Sequence, residues 1–215
     1  MMRVTDQVEA LREAIARCRA RLDADAVHDA RVAARRLIAF LAIAELRVLR
    51  HDLRRLVRGL GRLRDLDVAL EAPLGGAFRA WLAGERRREA ARVRPLLAAG
   101  VEAVFTALTN LPAPSAKAQA QGLARARAGV GRRAREAKRV ETIDAVHALR
   151  KALRRERYVR EWLGLDVRAL RDRQELVGVA CDLASLRRLI LEAGDERAAA
   201  VVQGGVDRLV PLLTR

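Results

Sequence analysis

Two stretches of this chain repeat one arrangement of cations around a histidine. Val27-His28 is followed by Arg31, Arg35 and Arg36, and Val146-His147 by Arg150, Arg154 and Arg155. Both therefore read Val-His-x-x-Arg, and both place Arg-Arg seven and eight residues after the histidine. On a helix, Arg31 falls at about −60° and Arg35 at about −20° from His28, with Arg36 further round. In the second stretch, Arg150 falls at about −60°, Arg154 at about −20°, Arg157 at about −80° and Lys151 at about +40° from His147. Cations stacked at three and four spacing repel one another, and an anion lying over them is the simplest compensation. Guanidinium groups suit phosphate, because each presents a planar fork of donors and stays charged at all relevant pH. The imidazole adds a donor and titrates near neutrality. His51 has no such frame and is read as incidental.

A second shared element follows each motif. Leu60-Gly61 precedes Asp65-Leu66, and Val177-Gly178 precedes Asp182-Leu183; His28 to Asp65 spans 37 residues and His147 to Asp182 spans 35. Two matched elements in the same order predict a duplicated helical unit. Arg54, Arg58 and Arg62 advance in steps of four, which predicts one cationic stripe. Arg168 and Arg171 do something similar in the second copy. There Glu175 and Val179 stand where Arg58 and Arg62 would be expected, so the second face is read as weaker or differently shaped. Asp65 and Asp182 can each hold an arginine in place or make an ordinary ion pair. Residues 117–139 hold eight basic side chains and one acid, Glu136, and can flank a ligand or face solvent.

The elements that must position these side chains are helices. Ala, Leu and Arg dominate, apolar residues return at three and four spacing, and no stretch alternates cleanly at period two. Asp25 is expected to cap a helix reaching about Leu49, followed by one from about Asp52 to Leu70. The next runs from about Ala77 to Leu108, with Pro95 kinking or dividing it. The stretch Asn110-Leu111-Pro112-Ala113-Pro114-Ser115 reads as the linker. Beyond it, helices are predicted over about Lys117–Arg139, from a Thr142 cap to about Leu163, over about Val167–Leu191 and over about Asp195–Leu213. Eight or nine helices result, in an all-α fold of two helical bundles.

Composition narrows the partner. The chain has 215 residues, 43 Lys and Arg against 27 Asp and Glu, and a net charge of +16, which excludes an acidic scaffold and points to an anionic partner. Residues 1–110 hold 21 basic and 14 acidic residues and residues 111–215 hold 22 and 13, so the charge is not a detachable tail. Aromatic residues are 3% of the chain, thin material for stacking on splayed-out bases. Cys18 and Cys181 form neither a disulfide framework nor a metal-spaced cluster. The N-terminus lacks the apolar stretch of a signal peptide and no 18-residue apolar run occurs, so a cytoplasmic, non-membrane protein is expected.

Taken together, these motifs resemble the CHAD family, the conserved-histidine alpha-helical domain. His28 through Arg31, Val32, Arg35, Arg36 and Leu37 is similar to the family's first histidine motif. Leu53-Arg54-Arg55-Leu56 through Leu60-Gly61-Arg62-Leu63-Arg64-Asp65-Leu66-Asp67 is similar to the segment that follows it. His147, Arg150, Lys151, Arg154, Arg155, Arg157 and Tyr158 match the second histidine motif. The resemblance covers essentially the whole chain. It implies two similar four-helix bundles related by pseudo-twofold symmetry: one domain over residues 1–215, with halves at 1–110 and 111–215. It also implies a basic surface or channel between the halves that binds inorganic polyphosphate, in some members at polyphosphate granules. The ligand-binding residues it implies are His28, Arg31, Arg35, Arg36, Arg54, Arg58, Arg62, His147, Arg150, Lys151, Arg154, Arg155, Arg157 and Arg171. Three departures stand out. Ile38 occupies a position where a further basic residue is common, Glu156 one where Leu is usual, and Cys181 replaces an expected Asn.

The expected function is binding without chemistry or cofactor: a flexible polyanion lies along guanidinium groups and releases counterions. Nucleic-acid binding is the main alternative, because phosphates alone do not distinguish the partners, although no helix-turn-helix, zinc-finger or RNA-platform signature is present. A metal-dependent phosphohydrolase is a third reading. It finds only Asp29 beside His28, and Asp65 with Asp67, in its favour.

Overall fold

The computed structural model describes residues 2–98 and 101–214. Ten helices are formed among them: α1 (Val4–Ala20), α2 (Ala24–Ile43), α3 (Arg47–Gly59), α4 (Gly61–Glu71), α5 (Gly76–Ala98), α6 (Val101–Thr109), α7 (Ala116–Val140), α8 (Ile143–Leu163), α9 (Arg168–Glu192) and α10 (Glu196–Thr214). No strand occurs among the described residues. By its contacts the chain divides into two compact units, Met1–Gln119 with Trp162–Gly164, and Ala120–Glu161 with Leu165–Arg215.

Helix boundaries correct the sequence expectation in several places. Asp23, not Asp25, caps α2, its carboxylate accepting from the Ala26 amide at 2.7 Å. The expected helix to Leu49 stops at Ile43, where Glu45 takes a left-handed conformation (φ 61°) and the Leu46 amide donates back to the Leu41 carbonyl at 2.9 Å. That closure ends a helix in the manner usually associated with glycine. The expected helix from Asp52 to Leu70 is two helices, interrupted at Leu60 between Gly59 and Gly61. Pro95 divides nothing and lies inside α5. The helical carbonyl it leaves unpaired belongs to the exposed Ala91, within reach of water. The break at Leu60, together with the expected Ala77–Leu108 helix forming as α5 and α6, gives ten helices where eight or nine were expected. Thr142 does cap α8, accepting from the Ala145 amide at 3.4 Å.

In the first unit α1 packs against α2, α5 and α6, and α2 packs against α3 and α4. The core is supplied by Leu11, Ile15, Leu37, Leu41, Leu53, Leu63, Leu66, Leu82 and Phe105, all essentially inaccessible. Trp162 adds its ring against Phe40, centroids 5.0 Å apart, and its indole N–H donates to the Arg36 carbonyl at 2.6 Å. In the second unit Val130 and Ala137 of α7 meet Val146, Leu149 and Leu153 of α8, Val177 and Cys181 of α9, and Val206 and Val210 of α10. Both cysteines are free and fully buried; burial pushes the Cys18 thiol up to about 11 and raises that of Cys181 as well.

The corner between α1 and α2 sets the orientation of the first histidine motif. Leu22 turns the chain in a left-handed conformation (φ 53°) with its side chain buried, a backbone cost of about 1–2 kcal/mol for a non-glycine residue. Arg86 of α5 holds this corner. Its Nη2 donates to the Leu22 carbonyl at 2.8 Å while its Nε donates to Asp67 of α4 at 2.6 Å. Asp67 is buried, and desolvation raises its carboxyl pKa despite the guanidinium beside it. Replacing Arg86 by Ala strands a buried carboxylate and a strained carbonyl together. The expected loss in urea denaturation is about 3–5 kcal/mol, and a loss below 1 kcal/mol would show that the corner is held by packing alone.

Candidate functional site

In the first unit α2 carries His28, Arg31, Arg35 and Arg36 along one side. Arg31 does not point outward. It is 9% exposed, and its Nη1 donates to the Val57 carbonyl at 2.7 Å. That carbonyl belongs to the last turn of α3, where helical partners run out. Gly61 opens α4 beside it, and a Cβ at that position would stand 3.5 Å from Arg31 Nη1.

The second unit repeats this arrangement. Arg150 of α8 lies across Gly178 of α9, where a Cβ would stand 3.3 Å from Nη2 and 3.7 Å from the guanidinium carbon. Here α9 is continuous and offers no free carbonyl, so Arg150 Nη1 donates to Asp182 at 2.9 Å instead. The shared glycine and the shared first arginine of the two sequence motifs are thus a single contact. Asp182 pairs with Arg150, which accords with both sequence readings of that residue. Asp65 is engaged in its own interaction.

The remaining residues of the sequence set fall into two groups. Arg35, Arg36 and Arg154 are half-buried and engaged. Arg62 donates to Glu85 of α5 at 3.2 Å, and the break at Leu60 separates it from the α3 stripe that was to carry it with Arg54 and Arg58. Arg157 lies 4.7 Å over the Tyr158 ring and 3.5 Å from Glu161, which Arg171 also approaches at 3.7 Å. By contrast, the side chains of Arg54, Arg58, Lys151 and Arg155 make no ion pair or hydrogen bond among the described residues. Arg54 is half-buried and the other three are exposed. Their donors are the ones available to a ligand. Along α7, Arg132, Arg135 and Arg139 lie opposite the face that Ala126, Val130 and Ala137 bury, and so point into solvent.

Both motif histidines are held below the ordinary imidazole value. For His28 the causes are burial, then the charges of Arg64 and Arg35; for His147 they are burial, then Lys151 and Arg150. Arg64 was absent from the sequence set although it is the largest cationic influence on His28. The signal was present in the Gly61-Arg62-Leu63-Arg64-Asp65 run, which the period-four count from Arg54 passed over. Two departures from the motif pattern gain physical meaning. Glu156 is buried and accepts from Arg160 Nε at 2.9 Å, and Cys181 fills a core position beside Arg150 and Arg154. Among the described residues no group of three or more His, Cys, Asp or Glu side chains is placed to hold a metal ion, and no helix is long and apolar enough to cross a membrane.

The family model of the CHAD domain matches residues 3–191. Among solved structures, the crystal structure of the CHAD domain from the plant Ricinus communis is similar. Its TM-score is 0.68 at 24% identity, covering 96% of this chain and 82% of that chain. No curated protein matches the chain.

The two histidines give a pH prediction with a definite sign. Their folded-state pKa values lie below the ordinary 6.5, so the folded state binds fewer protons than the unfolded state. Their contribution to stability is complete above about pH 6.5 and is lost as pH falls through the depressed folded values. Proton–nitrogen correlation spectra should show both imidazoles titrating below a free histidine, and a bound anion should move both back upward. Titration of either at or above 6.5 in the free protein would contradict the environment described.

Proposed function

Since the chain belongs to the CHAD domain family, we propose that it is a binding protein for inorganic polyphosphate. The observation that carries this reading is the repeated contact: in each unit an arginine following the histidine is laid over a glycine, with further cations left exposed beside it. One arginine of each copy is consumed in fixing the backbone, so the site is preorganised and the ligand meets cations whose helices are already held. Arg54 and Arg58 on α3, and Lys151 and Arg155 on α8, make the first contacts with phosphate, with His28 and His147 adding neutral donors. The two units are read as copies of one ancestral helical unit, each carrying its own basic face.

The mechanism is electrostatic and needs no base recognition. Successive phosphates engage separate cations and release condensed counterions, so affinity falls steeply with salt. Arg is better suited than Lys to this task, because a guanidinium can hold two oxygens and is more weakly hydrated. The chain uses 40 Arg and 3 Lys. Polyphosphate granules are the expected place of such a protein.

At about 0.15 M salt, long-chain polyphosphate should outcompete RNA of matched charge. Converting Arg54 and Arg58 together to Gln should weaken binding about tenfold and lower the slope of log affinity against log salt by between about one and two. The same exchange should leave the thermal midpoint nearly unchanged, because neither side chain is paired. Preference for RNA, or a salt slope that ignores the double variant, would overturn the reading.

A further inference from the structure

A second kind of site lies in the C-terminal unit and shares His147 with the face of exposed cations. Ile143, Asp144 and His147 of α8, Ser185, Arg187 and Arg188 of α9, and Gln203 of α10 surround a cavity of about 220 Å³. That is smaller than the ~300–1,000 Å³ of pockets that take drug-sized ligands. We propose that this cavity binds a single protonated phosphate group, either free hydrogen phosphate or the terminal group of a polyphosphate chain. The proposal deepens the polyphosphate reading and rests on it only for the second of these sources.

The charge pattern distinguishes this cavity from a simple basic patch. Arg188 is matched by Glu192, their atoms 2.8 Å apart. Arg187 makes no ion pair or hydrogen bond among the described residues, and its Nε is buried without a partner. The same cavity is lined by Asp144, whose carboxylate belongs to the first turn of α8. A lining of one unmatched guanidinium and one carboxylate is a poor bed for an internal phosphate, which is fully ionised and only accepts hydrogen bonds. A terminal or free phosphate differs, because its last proton leaves near neutral pH and its P–OH can donate to a carboxylate. Arg187 and Ser185 supply donors to the other oxygens. Burial, together with Lys151 and Arg150, lowers the His147 pKa, which favours the neutral imidazole with its one donor and one acceptor, suited to a group that is itself both. Gln203 is turned towards Asp207, its amide nitrogen 2.6 Å from the carboxylate. Its helix lies beyond residues 3–191 matched by the family, so one wall of the cavity comes from a segment that the family match does not include.

The test uses the intact chain and two probes of similar size, inorganic orthophosphate and sulfate, read by the His147 signals in proton–nitrogen spectra. Sulfate carries no proton at neutral pH and has nothing to donate to Asp144. Orthophosphate should shift the His147 signals saturably while sulfate does not. Arg187→Gln should abolish the response, and Asp144→Asn, at an exposed position that leaves the fold intact, should admit sulfate. Long polyphosphate with free ends, compared with the same polymer blocked at both ends as alkyl esters, separates the sources. A loss of affinity on blocking that disappears in Arg187→Gln assigns the chain end, and no effect of blocking alongside an orthophosphate response assigns free phosphate. Equal response to sulfate, persistence of either effect in Arg187→Gln, unchanged discrimination in Asp144→Asn, or silence to both orthophosphate and end-blocking would each overturn the proposal. Tight binding of end-blocked polymer with a silent cavity would sink the cavity and leave the polyphosphate reading standing. An orthophosphate response without polymer binding would do the reverse.

Discussion

An arginine packed against a glycine of the neighbouring helix is the contact that recurs in both units of this protein. Arg31 over Gly61 and Arg150 over Gly178 each bring a cationic helix close to the helix or helix junction beside it. A Cβ at Gly178 would stand 3.3 Å from the Arg150 guanidinium, which would have to give by a few tenths of an ångström, whereas one at Gly61 would meet Arg31 at an ordinary contact distance of 3.5 Å. The bond differs between the copies because the acceptor differs: a carbonyl at the end of α3 in one, a carboxylate on the unbroken α9 in the other. In each unit one Nη group of the arginine takes the acceptor that lies within reach.

That division of labour separates fixed cations from available ones. The motif reads from sequence as a uniform stripe of positive charge, but its members act differently once folded. Some are committed to carbonyls, carboxylates and a tyrosine ring, while Arg54, Arg58, Lys151 and Arg155 keep their donors unused. Charge repulsion along the stripe is relieved internally at the first group and remains at the second. A ligand that collects charge therefore gains most from the second group.

How far this was legible in the residues depends on the kind of information each feature needs. Helical class and the paired motifs rest on spacing, which a chain displays directly, whereas the contact of each arginine with its glycine is a product of folding. The stop at Glu45 and the break at Leu60 were not legible, because the first is a local backbone closure on a left-handed residue that is not glycine and the second falls on a buried leucine between two glycines. Pro95 misled in the opposite direction, since a missing amide matters little where the carbonyl it would have paired can meet water. Arg64 and the commitment of Arg62 to Glu85 depend on which helix folds against which, and a single-helix wheel has no means of representing that. The substitution Glu156, odd as a motif departure, became intelligible once Arg160 was seen against it.

The two cysteines were set aside above as inert members of the core, and their inertness has a use. Cys18 belongs to the first unit and Cys181 to the second, each fully buried with its thiol shifted away from the reactive thiolate. Each is therefore a clock for the opening of its own unit. The rate at which a thiol reagent reaches one sulfur or the other reports how often that part of the chain exposes its interior under native conditions. One such reporter lies in each unit, so the cooperativity between the units can be timed without adding a label.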